Sequence, residues 1–176
     1  MNGLKIRDVT ECAIFVAILT VISQISLPIA LVPITIQVLA LSLIGYYLSI
    51  KKASATIFVY LLLGLVGVPV FSSLQGGIQV LLSYTGGFIL GFIPLVLLCS
   101  VCNRKRIGIL LGILGLIICH TLGILWYSYI AQLSILNSFL VISLPYFAKD
   151  LVLLILGYFI ARLIEKKTKM TIDKSF

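Results

Sequence analysis

Between Glu11 and Lys51 the chain carries no charged side chain, and the same holds from Lys52 to Arg104 and from Arg106 to Lys149. A soluble domain is about half apolar and about a quarter charged. Here 61% of residues are hydrophobic and 10% charged, with a mean hydropathy of +1.26. Such a chain cannot wet its surface in water, so the sequence reads as an integral membrane protein. Its apolar runs are long and unbroken, unlike the alternating strands of an outer-membrane barrel, so the spans are expected to be helices. The expectation is all-α: one membrane domain over 1–176, with six transmembrane helices.

Those spans fall at roughly 9–28, 34–50, 53–69, 80–102, 107–129 and 146–164, each near the ~20 residues that cross the hydrocarbon. The run after Arg7 is longer than a signal-peptide core and lacks its small-residue cleavage pattern, so it reads as the first span. If the spans alternate, twelve of the thirteen Lys and Arg residues fall on one side. They are Lys5, Arg7, Lys51, Lys52, Arg104, Lys105, Arg106, Arg162, Lys166, Lys167, Lys169 and Lys174. The positive-inside rule makes that side cytoplasmic, with both termini inside. The net charge of +8 therefore reports topology in a lipid bilayer, and not a nucleic-acid partner. Lys149 alone faces outward.

The outer connections are uncharged and strongly apolar: 27–37, 68–79 and about 128–145. Pro28, Pro33 and Pro69 break helices there, and non-helical backbone at membrane depth is tolerated where protein buries it or it lines a cavity. An outward-facing pocket covered by loops 1–2 and 3–4 is the expectation.

Candidate binding residues cluster on that side. Lys149 can pair with a ligand carboxylate and Asp150 can accept ligand N–H groups. Tyr84 and Thr85 offer hydroxyls beside Gly86; Gln37, and Gln75 with Gly76 and Gly77, supply an uncharged hydrogen-bonding wall whose glycines let backbone approach closely. Gly87 and Gly91 form G-x-x-x-G, and Ala13 and Ala17 a second small-residue face; both let helices pack closely. Cys99 and Cys102 have redox spacing, but lie at the cytoplasmic end of their span, where disulfides are disfavoured. His120, the single histidine, has no carboxylate nearby in sequence and reads as packed or bonding between helices. No metal-ligand set, no catalytic constellation and no phosphate-binding loop is present, so the chain cannot power transport through a P-loop of its own.

Four segments in register then point to a family. Val32-Pro33-Ile34-Thr35-Ile36-Gln37, Gly67-Val68-Pro69-Val70-Phe71, Thr85-Gly86-Gly87-Phe88-Ile89-Leu90-Gly91-Phe92, and Pro145-Tyr146-Phe147 with Asp150 together resemble the BioY family. Its members are biotin-specific substrate-binding (S) subunits of energy-coupling-factor (ECF) transporters. The resemblance implies a six-helix subunit in the cytoplasmic membrane of a prokaryote that holds biotin in an outward pocket and binds no cofactor. It also implies a transmembrane coupling subunit and two cytoplasmic ATPases as partners, docking on the Ala13/Ala17 face of the first helix. Uptake, and no covalent reaction, is the implied activity.

Two departures stand out. Ser83-Tyr84-Thr85-Gly86-Gly87 replaces the family's Gly-Pro-Thr-Gly-Gly, and Leu153 occupies the place of a family lysine three residues after the aspartate. Lys149 can stand in for that lysine only if its helix starts at or after it, because neighbours point about 100° apart around a helix. The chemistry suits biotin all the same: its ureido ring wants donors and acceptors, its thiophane and valeryl chain an apolar wall, and its carboxylate one cation. The departures keep a second small carboxylated vitamin or metabolite open as ligand. A thiol redox enzyme using Cys99 and Cys102 is the distant alternative.

Overall fold

The computed structural model describes residues 6–27, 32–101 and 107–173, with side chains as far as Thr168. Within them, helices of eleven residues or more are α1 (Ile6–Ser23), α2 (Gln37–Tyr47), α3 (Ile50–Val66), α4 (Gly86–Val101), α5 (Ile107–Ala131) and α6 (Leu144–Asp173). Short helical turns occupy Ser72–Leu74, Ile78–Leu81 and Ile135–Ser138, and a π-helical turn, Phe139–Ser143, runs directly into α6. Two antiparallel residue pairs, Ser26 with Thr35 and Leu27 with Ile34, close a small hairpin of β1 (Ser26–Leu27) and β2 (Ile34–Thr35).

Several expected boundaries move, for local reasons. The first helix stops at Ser23 and not near 28, because Gln24 turns its side chain onto other backbone. Its amide donates to the carbonyls of Thr20 (3.1 Å) and Phe71 (3.1 Å) and its oxygen accepts from Leu74 N–H (2.9 Å). Such side-chain bonds compete with helix continuation. The third helix ends at Val66, capped by Gly67 in the left-handed region (φ 105°), where glycine carries no steric penalty. The expected span 80–102 is interrupted at 82–85, and its last residue, Cys102, lies outside the described residues. The third outer connection, read as a loop from 128 to 145, is mostly helical.

Among the described residues two helices, Ile107–Ala131 and Ile135–Thr168, are long and apolar enough to cross a membrane. By contrast α2, with 11 residues, reaches only about 16 Å at the helical rise of ~1.5 Å per residue. Large side chains such as Phe58, Val66, Leu110, Val152, Phe159 and Leu163 stand exposed around the helices. Apolar surface on that scale marks an interaction with lipid or protein, and the fold is that of a membrane protein.

The core is apolar and continuous, built on Leu19, Leu41, Ile44, Tyr60, Leu95, Leu116 and Leu154. Within it α4 and α5 pack more extensively than any other described pair, and the G-x-x-x-G face explains how. A β-carbon on Gly87 would lie 2.4 Å from the Leu122 carbonyl oxygen, and one on Gly91 would lie 2.7 Å from Cys119 Cα. Gly91→Ala is therefore expected to push the helices apart and cost about 1–3 kcal/mol, as overpacking does. A lower unfolding temperature in detergent would show it; an unchanged one would mean the interface yields freely.

Charges gather at the end of the bundle opposite the hairpin. Lys52 Nζ lies 2.6 Å from both Asp8 and Glu11, and hydrogen bonds to Asp8 first and Glu11 second hold its ammonium above the usual lysine range. Arg162 pairs with Glu165 at 2.8 Å and lies over the Tyr158 ring.

Candidate functional site

At the hairpin end a cavity opens between the helices. Its walls are mostly apolar, from Val38, Val80, Phe88, Ile89, Phe92 and Leu116. Two loops close over it: Val32, Pro33 and Thr35 from the first, Phe71 and Ser72 from the connection after α3.

The polar side of the cavity comes from α6. Tyr146, Lys149 and Asp150 stand at i, i+3 and i+4, which places them on one helix face. Asp150 is 6% exposed, so a bare charge there would be very costly, and its partners are all close. Lys149 Nζ donates to Asp150 Oδ1 at 2.5 Å and to the Thr35 carbonyl at 2.5 Å. His120 Nε2, on α5, lies 3.3 Å from Asp150 Oδ2. Behind it His120 Nδ1 meets the Ser143 hydroxyl at 2.9 Å. Tyr146 donates its hydroxyl proton to the Val32 carbonyl at 2.6 Å, tying the first loop to α6.

The helix carrying Lys149 begins at Leu144, five residues before it, and not at or after the lysine. The flexible stem reaches the cavity regardless, because a four-carbon side chain can bend back along the helix. Leu153 instead packs against the core, so the cation at this wall is Lys149.

Of the residues singled out from sequence, Lys149, Asp150, Thr85 and Gln37 line the cavity together. Gln37 is buried and donates to the Tyr60 hydroxyl at 2.8 Å, while Tyr60 donates to the Val70 carbonyl. Thr85 shares a 3.0 Å bond with Ser83. Tyr84 lies just behind the wall, its ring 5.5 Å from that of Tyr127. Gly86 packs at the start of α4, where a β-carbon would strike the Leu81 carbonyl and approach Trp126. Gln75 is exposed on the loop, and Gly76 and Gly77 fasten that loop from beneath, Gly77 N–H bonding the Gly64 carbonyl at 2.6 Å. These five are not brought to the cavity wall.

Ala13 and Ala17 are exposed, away from the cavity, on a long apolar groove between α1 and α3. Cys99 is fully buried and unpaired.

His120, Cys119, Phe71, Phe88 and Tyr146 also line the cavity. The signal for His120 was present in the sequence as an ionisable side chain inside an apolar span, where such groups mark functional pathways. Its partner Asp150 is 30 positions away, so spacing could not pair them.

The BioY family model matches residues 1–170. A relative in Pyrococcus horikoshii, "Probable biotin transporter BioY", is 32% identical over 165 residues, covering 94% of this chain and 100% of the relative. In Thermotoga maritima, "Biotin transporter BioY" is 32% identical over 164 residues, covering 91% of this chain and 96% of the relative. The fold is similar to a crystal structure of the S-component for biotin from an ECF-type ABC transporter, with a TM-score of 0.84 at 23% identity and 94% coverage of both chains. On the family match over nearly its whole length, this chain belongs to the BioY family.

Proposed function

We propose that the chain is the biotin-binding S subunit of an ECF-type importer, taking up the vitamin across the cytoplasmic membrane of a prokaryote. The observation that carries this reading is the Lys149–Asp150–His120 cluster, gathered at one wall of an otherwise mostly apolar cavity roofed by two loops, with Asp150 and His120 buried. Asp150 supplies acceptors for the ureido N–H groups, Lys149 a cation for the carboxylate, and Phe88, Ile89 and Phe92 an apolar wall for the ring and chain. The names of the relatives agree with it. Calorimetry on purified protein tests it: biotin binding at or below micromolar concentration is expected, and no binding there sinks the proposal.

Six crossings with both termini inside would put this cavity on the outer face, and the clustering of described charges at the opposite end supports that orientation. Leu74, 70% exposed on the roofing loop, provides the check. Leu74→Cys should react with an impermeant thiol reagent in intact cells, whereas Lys51→Cys should react only after permeabilisation. The reverse pattern would invert the topology.

The Ala13/Ala17 groove fits the docking of a separate coupling subunit, which would bring two ATPases with it. Small residues allow a partner helix close approach, and the exposed groove between α1 and α3 is apolar, as such a partner requires.

A second reading, a different small carboxylated ligand, draws on Ser83 and Tyr84. The Ser83 carbonyl accepts from Trp126 Nε1 at 2.9 Å and Tyr84 packs on Tyr127, so this corner of the mouth has its own shape. Competition of a carboxylated-metabolite panel against labelled biotin separates the two.

A further inference from the structure

We infer that His120 is a positioning residue, whose Nε2–H holds the Asp150 carboxylate in the orientation that accepts a ligand N–H. Asp150 Oδ2 lies 3.3 Å from His120 Nε2, and a carboxylate oxygen that only accepts hydrogen bonds is served by the tautomer with its proton on Nε2. The ring cannot turn away. Phe88 and Phe147 stand edge-on to it at 5.5 and 5.2 Å, and the Ser143 hydroxyl meets its other nitrogen. Ser143 ends the π-helical turn that precedes α6, and such turns recur at functional sites. The imidazole is buried at 4% side-chain exposure, where a hydrogen bond is electrostatically stronger than in water.

Lys149 holds Oδ1 while His120 holds Oδ2. The carboxylate is thus fixed from both sides, and each oxygen keeps acceptor capacity for the cavity, since the two together offer about four lone-pair sites. Lys149 alone would leave Oδ2 free to rotate. His120 removes that freedom before the ligand arrives, which lowers the ordering cost of binding.

The identity of the ligand in this inference rests on the biotin reading, but the pairing does not, and the test separates them. The chain has one histidine, so 15N-labelled histidine gives a single imidazole signal in ligand-free protein. A protonated Nε2 whose resonance moves in Asp150→Asn is expected; a bare Nε2 overturns the inference. Glutamine places an N–H near the Nε2 position and asparagine near Nδ1. His120→Gln should therefore keep biotin affinity within ~3-fold, while His120→Asn and His120→Ala lose ~10-fold or more, the equivalent of one charge-assisted hydrogen bond. In an Asp150→Asn background, His120→Ala should add less than ~3-fold, since coupled residues are non-additive. Equal loss for Gln and Ala, or full additivity, overturns it as mere packing. Should His120→Ala fail to fold, the Gln and Asn variants and the imidazole signal decide. Wild-type protein that binds no biotin sinks the transport reading, and the imidazole signal then decides the pairing alone.

Discussion

Asp150→Ala is expected to weaken biotin binding by about 100-fold or more. The carboxylate sits at 6% exposure between the Lys149 ammonium and the His120 imidazole. The charge left behind is Lys149, 27% exposed, so losing its partner costs between the exposed limit of under ~1 kcal/mol and the buried limit of several. The ligand N–H that Asp150 would accept loses its partner at the same time. A lost charge-assisted hydrogen bond is worth about 1.5–3 kcal/mol and ~1.4 kcal/mol is tenfold in affinity, so that bond together with the weakened Lys149 reaches about 100-fold. Asp150→Asn keeps the volume but presents an amide where only acceptors fit, so an intermediate loss of ~10–100-fold is expected from a single charge-assisted bond. Calorimetry with biotin measures both, and the unfolding temperature without ligand separates a lost contact from a lost fold. Affinity within threefold of wild type in Asp150→Ala would remove Asp150 from the binding site.

What could be read in advance follows from which interactions are local. The run 107–129 became α5 almost unchanged, because no Asp, Glu, Lys, Arg or Pro interrupts it. Gly87 and Gly91 were legible as a packing face, since four-residue spacing alone puts them together, and they meet α5. Helix ends were less legible. Pro28 looked like the terminator of the first helix, yet Gln24 ends it earlier through bonds to residues 71 and 74, nearly fifty positions away.

Pro145 lies one residue into α6, close to where the sixth span was expected to start, but a helical turn precedes it. A proline has no N–H to give and usually marks a helix start, so the sixth helix was expected to begin beside it. In the structure the π turn at Phe139–Ser143 widens the helical path just before the proline and the chain stays helical through it. The cavity shows the same division. Lys149 and Asp150 were visible as charges in an apolar run, whereas Gln75, Gly76 and Gly77 were grouped with them on composition alone. Only the folded loop shows that Gln75 and Gly77 turn their N–H groups to Ser72 and Gly64, and that Gly76 lies against the Val68 carbonyl with no room for a side chain.

Lys149→Ala should weaken biotin by ~10–100-fold and biotin amide by only a few-fold. The ammonium has three donors; two engage the Thr35 carbonyl and Asp150 Oδ1, which leaves one for a ligand at the mouth. Two effects of the substitution need separating. Losing the support that Lys149 gives Asp150 and the first loop harms any ligand that uses this wall, and it harms biotin and its amide equally. Losing the cation harms only the ligand with a carboxylate. An ion pair at a site of 27% exposure lies between the exposed limit of under ~1 kcal/mol and the buried limit of several, so the charged ligand should suffer the larger loss by about tenfold. Parallel titrations of the two ligands into wild type and variant give the difference directly, and any general damage to the fold cancels between them. If both ligands lose equally, Lys149 serves Asp150 and Thr35 alone, and the carboxylate finds its partner elsewhere. The larger loss for biotin would mean that Lys149, one position before the aspartate, supplies the cation at this wall, while Leu153, three positions after it, packs partly buried against the core.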